Sequence, residues 1–286
     1  GRAGGAGRPT GVRACAVAFR AGRDARANAA RASAVVRAAA AEGADLVLLP
    51  EYAGAFDPRG VGRDLAEPLD GAFVTALREA ARAARVVVVA GTLVPAGDRA
   101  AGEVVALGAD GELLGTYRKV HLYDAFGRRE SDDLVAGDPA APPLVVPVGG
   151  LAVGVLTCYD VRFPESARRL VDAGADVLAV PAAWAAGERK ADQWETLVRA
   201  RAIENTCYAL GAVQHGPGVT GDALVVGPDG AVLARVDAVA LATAEPATDA
   251  WAAADLSPAE VAAVRERNPS LANRRYAVVP RPGPRA

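Results

Sequence analysis

Apolar positions in this chain cluster into short runs separated by longer stretches in which apolar and polar residues alternate with helical spacing. Val12–Phe19, Leu46–Leu49, Val86–Val89, Leu151–Leu156, Val177–Val180, Tyr208–Val213 and Ala223–Val226 are almost wholly apolar, and two of them stop at a proline, Pro50 and Pro181. Runs this short with no polar face predict strands buried on both sides. Glu103–Leu107 and Glu112–Arg118 flank Gly108-Ala109-Asp110-Gly111, a hairpin signal, and Pro228-Asp229-Gly230 turns the chain into a further strand, Ala231–Val236. Helices are predicted over Asp24–Glu42, closed by Gly43, and over Gly71–Arg82, Glu165–Asp172 and Lys190–Asn205. In the last of these Trp194, Leu197, Val198, Ala202 and Ile203 share one face. Ser257–Arg267 reads as a helix with Ser257 as N-cap, Pro258 in the first turn and Glu260 at the third position.

Strands and helices alternate without a linker or an internal repeat. The expectation is one α/β domain over residues 11–280, a layered sandwich of sheet and helix. A flexible Gly/Arg-rich segment, 1–10, would precede it, and an irregular Pro/Arg-rich tail, 281–286, would follow.

Composition narrows the function classes. The chain has 286 residues, 51% hydrophobic, with 32 basic and 34 acidic side chains. That balance fits a globular protein and gives no polybasic surface, so neither nucleic acid nor membrane is expected as a partner. The longest uncharged stretch, Pro139–Tyr159, carries four prolines and three glycines and cannot form one lipid-facing helix. The apolar run between Arg13 and Arg20 is too short for a signal-peptide core. Three scattered cysteines, Cys15, Cys158 and Cys207, make no disulfide framework and suggest a cytoplasmic location; no spacing suggests a metal site. Cys15 and Cys207 lie in or beside apolar strands and read as packing. Only two of the basic residues are lysines, Lys119 and Lys190, so each retained lysine is a candidate for a specific role.

Three polar residues stand just past strands: Glu51 after Leu46–Pro50, Lys119 after the hairpin, and Cys158 after Leu151–Thr157. Strand ends are where an α/β scaffold presents functional groups. Singly, each has an ordinary reading: Glu51 as a turn cap, Lys119 as a surface charge, Cys158 as a small buried hydrophobe. Together they hold the parts of acyl transfer. A thiol with pKa near 8.5 needs a base or a stabilising cation. A buried carboxylate serves as that base, and a lysine stabilises the oxyanion. No histidine, metal or cofactor is needed.

The residues around these three carry a resemblance. Glu42-Gly43-Ala44-Asp45-Leu46-Val47-Leu48-Leu49-Pro50-Glu51, then Tyr117-Arg118-Lys119-Val120-His121-Leu122-Tyr123-Asp124, then Cys158-Tyr159-Asp160-Val161-Arg162-Phe163-Pro164-Glu165 resemble, in order, the signature blocks of the nitrilase superfamily, the carbon–nitrogen hydrolases. Pro181-Ala182-Ala183-Trp184, Arg199–Asn205 and Asn273-Arg274-Arg275 agree, so the likeness runs from about residue 12 to 276. The resemblance implies a four-layer α-β-β-α sandwich that dimerises, or forms a higher homo-oligomer, through a helical face. It implies a Glu51–Lys119–Cys158 triad acting on a small-molecule amide through a thioester. It further implies that the backbone N–H of Tyr159 assists Lys119, that Glu130 orients the lysine and the substrate, and that His121 supports the site. His121 lies two residues beyond Lys119 and on a continuing strand would point the same way. Tyr52, Trp184 and Arg162 are the candidate substrate contacts, although for Arg162 a salt bridge within its own loop is the favoured reading. Asp222 stands where the family often has histidine, and His215 is left as a loop residue.

A tyrosine after the cysteine resembles amidases of the omega-amidase or deaminated-glutathione-amidase kind, with N-carbamoyl amino acid hydrolases or aliphatic nitrilases as alternatives. A Cys–His hydrolase using His121 or His215, and a non-catalytic or redox thiol protein, are the competing readings from other classes.

Overall fold

The computed structural model describes residues 11–243 and 248–281. The segments expected to be flexible or irregular, 1–10 and all but the first residue of 281–286, lie outside them. The elements in chain order are β1 (Val12–Phe19), α1 (Ala25–Ala41), β2 (Leu46–Leu48), α2 (Ala72–Ala84), β3 (Val87–Ala96), β4 (Arg99–Leu107), β5 (Leu113–Arg118), β6 (Val145–Val148), β7 (Leu151–Val155), α3 (Pro164–Asp172), β8 (Val177–Ala182), α4 (Lys190–Asn205), β9 (Tyr208–Gln214), β10 (Ala223–Val226), β11 (Val232–Val236), α5 (Ala238–Ala242), β12 (Ala250–Leu256) and α6 (Pro258–Arg267).

The strands run in the order β5-β4-β3-β2-β1-β9-β8-β7-β6, with β12 beside β1 and the β10–β11 hairpin beside β9. β1, β2 and β3 are parallel, as are β7, β8 and β9, and antiparallel hairpins finish both edges. Within the sheet the two halves are joined where Ala18 and Phe19 of β1 pair with Val213 and Gln214 of β9. At that seam the sheet folds over on itself.

Side-chain alternation along the strands builds the layers. Ala14 and Ala16 of β1, with Val177 and Ala179 of β8, point into an apolar layer between the two half-sheets. Cys15, Val17 and Phe19 point the other way, against α1 and α2. Leu178, Val180 and Ala182 pack outward against α3 and α4. The result is the four-layer α-β-β-α sandwich. Strands buried on both faces explain why the sequence reads as continuous apolar runs rather than alternating ones.

Helix caps follow the sequence: Asp24 accepts from the amides of Arg26 and Ala27, and Ser257 from that of Ala259. Two strands escaped the pattern reading. β6 contains Pro147, which argues against a strand, but β6 is an edge and the missing N–H costs no ladder bond. Gly149 and Gly150, at φ +52° and +87°, close its two-residue hairpin to β7. β12 is alanine-rich and lacks β-branched residues, yet it pairs with β1 over seven positions. Its neighbours, not its propensity, make it a strand. No helix among the described residues is long and apolar enough to cross a membrane.

Candidate active site

The loops after β2, β5 and β7 converge on one cavity of about 310 Å³, whose wall includes Glu51, Lys119 and Cys158. Three residues separated by 39 or more positions in sequence are therefore brought together by the fold of the sheet.

Glu51 leaves β2 through Leu49 and Pro50 and is 3% exposed. Its Oε1 accepts from Lys119 Nζ at 2.9 Å, and its Oε2 from the backbone N–H of Ala183, just past β8, at 2.9 Å. Its carbonyl accepts from the side chain of Gln214 on β9 at 3.0 Å. Both half-sheets thus grip the same residue. Lys119 follows β5 and is 1% exposed; it bridges Glu51 and Glu130, with Nζ 2.8 Å from Glu130 Oε2. Glu130 also accepts from the Tyr52 hydroxyl and from the Tyr123 N–H, each at 2.7 Å. A buried lysine between two carboxylates leaves the set one negative charge in excess.

Cys158 opens a 3-10 turn, Cys158–Arg162, at φ +48°, in the left-handed region. That conformation costs an L-residue about 1–2 kcal/mol. It is held by a capping box in which Thr157 and Asp160 bond each other's backbone, while the Thr157 hydroxyl donates to the Pro181 carbonyl. Asp160, fully buried, also accepts from the Tyr117 hydroxyl at 2.7 Å and from His121 through both N–H and Nδ1. The Thr157-x-x-Asp160 spacing is a capping signature legible in the sequence.

Protonation follows from burial and neighbours. Burial, then the Glu51 charge, pushes the Cys158 thiol well up, with the Lys119 ammonium opposing them. Burial lifts Glu51 above the ordinary carboxylate range, opposed by Lys119 and aided by Glu130. Burial pulls Lys119 down, but Glu130 and Glu51 outweigh it and hold the ammonium. Glu130 is raised by burial and lowered more by Lys119, so it stays ionised. The resting arrangement is a neutral thiol beside a carboxylate of raised basicity, not a preformed thiolate: Lys119 already carries more than one counter-charge.

Of the expected contacts, Tyr52 and Trp184 line the cavity. Arg162 is not on its wall and makes no ion pair in its own loop. It donates to Gln193 at 2.7 Å and stacks on Trp184, 4.9 Å from the ring centroid. His121 is not on the wall either: β5 stops at Arg118, and His121 turns to Asp160 and stacks on Phe163 at 3.8 Å. Tyr159 follows Cys158 in the turn, its ring edge-on to Tyr123 and Phe163. His215 is buried, 3.8 Å from Asp249, rather than in an open loop, and Asp222 pairs with Arg235. Neither histidine lines the cavity, so a Cys–His pair has no geometric support among the described residues. No group of three or more His, Cys, Asp or Glu among them is arranged to hold a metal ion. Lys190, which the scarcity of lysine singles out without a role, also lines the cavity, as do Tyr123 and Arg128, to which the sequence reading assigns no part in the site.

Residues 12–256 match the carbon–nitrogen hydrolase family. A deaminated glutathione amidase of Escherichia coli is 36% identical over 253 residues, covering 87% of this chain and 92% of that protein. One of Synechocystis sp. is 34% identical over 261 residues, covering 86% and 92%. Among solved structures, an amidase of the nitrilase superfamily from Nesterenkonia sp. superposes with a TM-score of 0.74 at 27% identity, over 94% of this chain and 99% of that one. Another structure of that enzyme, with the same score and coverage, shows the acetamide moiety of fluoroacetamide covalently added at the active-site cysteine. With its sandwich, its cavity and a family match over most of its length, this chain belongs to the carbon–nitrogen hydrolase family, in the amidase branch of the nitrilase superfamily.

Proposed function

We propose that the protein hydrolyses small linear amides, of the omega-amidase or deaminated-glutathione-amidase kind, through a thioester on Cys158. One observation carries this reading: Cys158 and the bonded pair Glu51–Lys119 stand together on the wall of one cavity sized for a small ligand. Glu51 takes the thiol proton as sulfur attacks the amide carbon. Lys119 and the backbone N–H of Tyr159 stabilise the oxyanion. The C–N bond breaks as Glu51 returns the proton to nitrogen, and ammonia leaves. Water then enters, Glu51 takes its proton, and the thioester collapses to carboxylate and restored thiol. Glu130 fixes the lysine and, with Tyr52, one side of the chamber.

Intact-protein mass spectrometry after mixing with small amides tests this. A mass gain equal to the acyl group, confined to Cys158 and lost in Cys158→Ala together with ammonia release, is expected. Ammonia release that survives Cys158→Ala would rule the reading out.

We place the enzyme in the cytoplasm, because all three cysteines are unpaired. We read it as a homodimer across a helical face, supported by exposed Ile203 on α4 and by Tyr276 and Val279 on the segment after α6. Light scattering on the eluting protein gives its mass, and a monomer would exclude the dimer.

A further inference from the structure

Lys190 is an almost completely buried cation without a counter-charge. It is 5% exposed, yet makes no ion pair among the described residues. Its ammonium donates to the Tyr123 hydroxyl at 2.9 Å. It lies 3.5 Å from the centroid of the Phe126 ring, with Tyr123 and Trp184 rings at 5.1 and 5.6 Å. Ring faces and a phenol replace part of its hydration but bring no negative charge. Burial, and then the like charge of Arg162, draws the ammonium below its ordinary value. The acids nearby are engaged elsewhere: Glu51 and Glu130 hold Lys119, and Asp57 holds Arg23 and Arg59. Glu188 lies further out, exposed, on the wall of a second cavity.

The position of Lys190 is as informative as its charge. Lys190, Tyr123, Arg128 and Ala185 line both the inner cavity and this second, outer one of about 430 Å³. Lys190 therefore stands where the cysteine chamber and the outer cavity adjoin. Arg128, beside it, donates to the Pro58 carbonyl. Composition points the same way. Among 32 basic residues only Lys119 and Lys190 are lysines, and both line this cavity. A compact ammonium fits inside a ring of aromatic faces where a guanidinium would bring five donors to satisfy.

We propose that Lys190 is the specificity-determining residue of the site, receiving a carboxylate carried by the amide substrate, so that anionic amides are preferred over neutral ones of the same length. This rests on the Cys158 reading above. The carboxylate is either on the acyl part or on the departing amine.

The test uses the full-length enzyme with butyramide as the neutral substrate, succinamate with the carboxylate on the acyl side, and N-butyrylglycine with it on the amine side. kcat and KM are measured for the wild type, Lys190→Met and Lys190→Arg. The wild type is expected to favour one anionic amide over butyramide by about ten- to a hundredfold in kcat/KM, the range of one charged hydrogen bond. Whichever it favours identifies the side. Lys190→Met should lose most of that ratio through KM, and Lys190→Arg should keep more of it. If Lys190→Met does not fold, inhibition of the wild type decides, with the pair matched to the favoured side: succinate should compete with butyramide at a lower concentration than butyrate does if succinamate is favoured, and glycine at a lower concentration than methylamine if N-butyrylglycine is. A ratio unchanged in Lys190→Met, a wild type without anionic preference, or equal inhibition by the two members of the pair for the favoured side overturns the proposal. Butyramide turnover without that preference removes this inference alone; no turnover of any amide removes the reading beneath it.

Discussion

A Cβ placed on Gly91 would come 2.5 Å from the Cα of Glu51, so β3 lays bare backbone directly against the residue proposed as the general base. The Gly91 N–H reinforces this contact by donating to the Pro50 carbonyl at 3.0 Å. Gly91→Ala must therefore push Glu51 out of line or strain β3, at a cost of about 1–3 kcal/mol. The expected result is a lowered melting temperature together with a fall in kcat of at least about tenfold, since small misplacements of a catalytic group are expensive. Wild-type kcat in Gly91→Ala would show that Glu51 has slack.

Glu51→Gln keeps the shape of the side chain and removes the proposed base. Turnover of a neutral amide should fall by about 10²–10⁴. Thermal melts should show the protein still folded, because burial of the Glu51 charge is itself unfavourable. Turnover within a few-fold of wild type would take Glu51 out of the mechanism.

Lys119 has a structural duty besides its chemical one. Its removal leaves Glu51 and Glu130 buried against each other without a cation. Lys119→Met should destabilise by about 3–5 kcal/mol, the usual cost of breaking a buried ion pair. Adding Glu130→Gln should restore part of that loss, and a double-mutant cycle by denaturant unfolding measures it. Additive losses would mean that the two side chains are not coupled.

The acid limb of kcat/KM reports Glu51. Its carboxyl is raised by burial, so protonation disarms it above the free-glutamate value of about 4.3. Activity should be full above that raised value and decline as pH falls through it. A stability consequence runs alongside. Glu130 is lowered in the fold by Lys119, so its stabilising contribution is present above the unfolded pKa and disappears as pH falls through the folded one. An acid limb at or below the free-glutamate value would contradict the burial argument.

The three cysteines differ in access. Cys15 and Cys207 lie in packed layers, with burial raising them to about 11 and about 12. Cys158 is also raised but faces the cavity. Iodoacetamide on the native protein should therefore add one group, on Cys158, located by peptide mass spectrometry. Modification of Cys15 or Cys207 at a comparable rate would mean that the outer layers open readily.

What the chain states in its own order is the material of the fold. Apolar runs such as Leu46–Leu49 and Val177–Val180 must be covered on both faces, which calls for layers of helix over paired sheets. The stops after Leu46–Leu49 and Leu151–Leu156 place Glu51 and Cys158 at strand ends. Local rules also carry the caps at Asp24 and Ser257. Where the strand identity came from neighbours, as in the alanine-rich β12 or the proline-bearing β6, local pattern carried too little information.

The site divides along the same line. Glu51, Lys119 and Cys158 are legible because each follows a strand and belongs to a recognisable block of sequence. The turn of His121 toward Asp160, the displacement of Arg162 onto Trp184, the press of Gly91 on Glu51 and the enclosure of Lys190 are not. Those contacts join positions far apart in sequence. They exist only once the sheet closes at the β1–β9 seam, because distance, burial and the pairing of charges are properties of that packing and not of any stretch of residues.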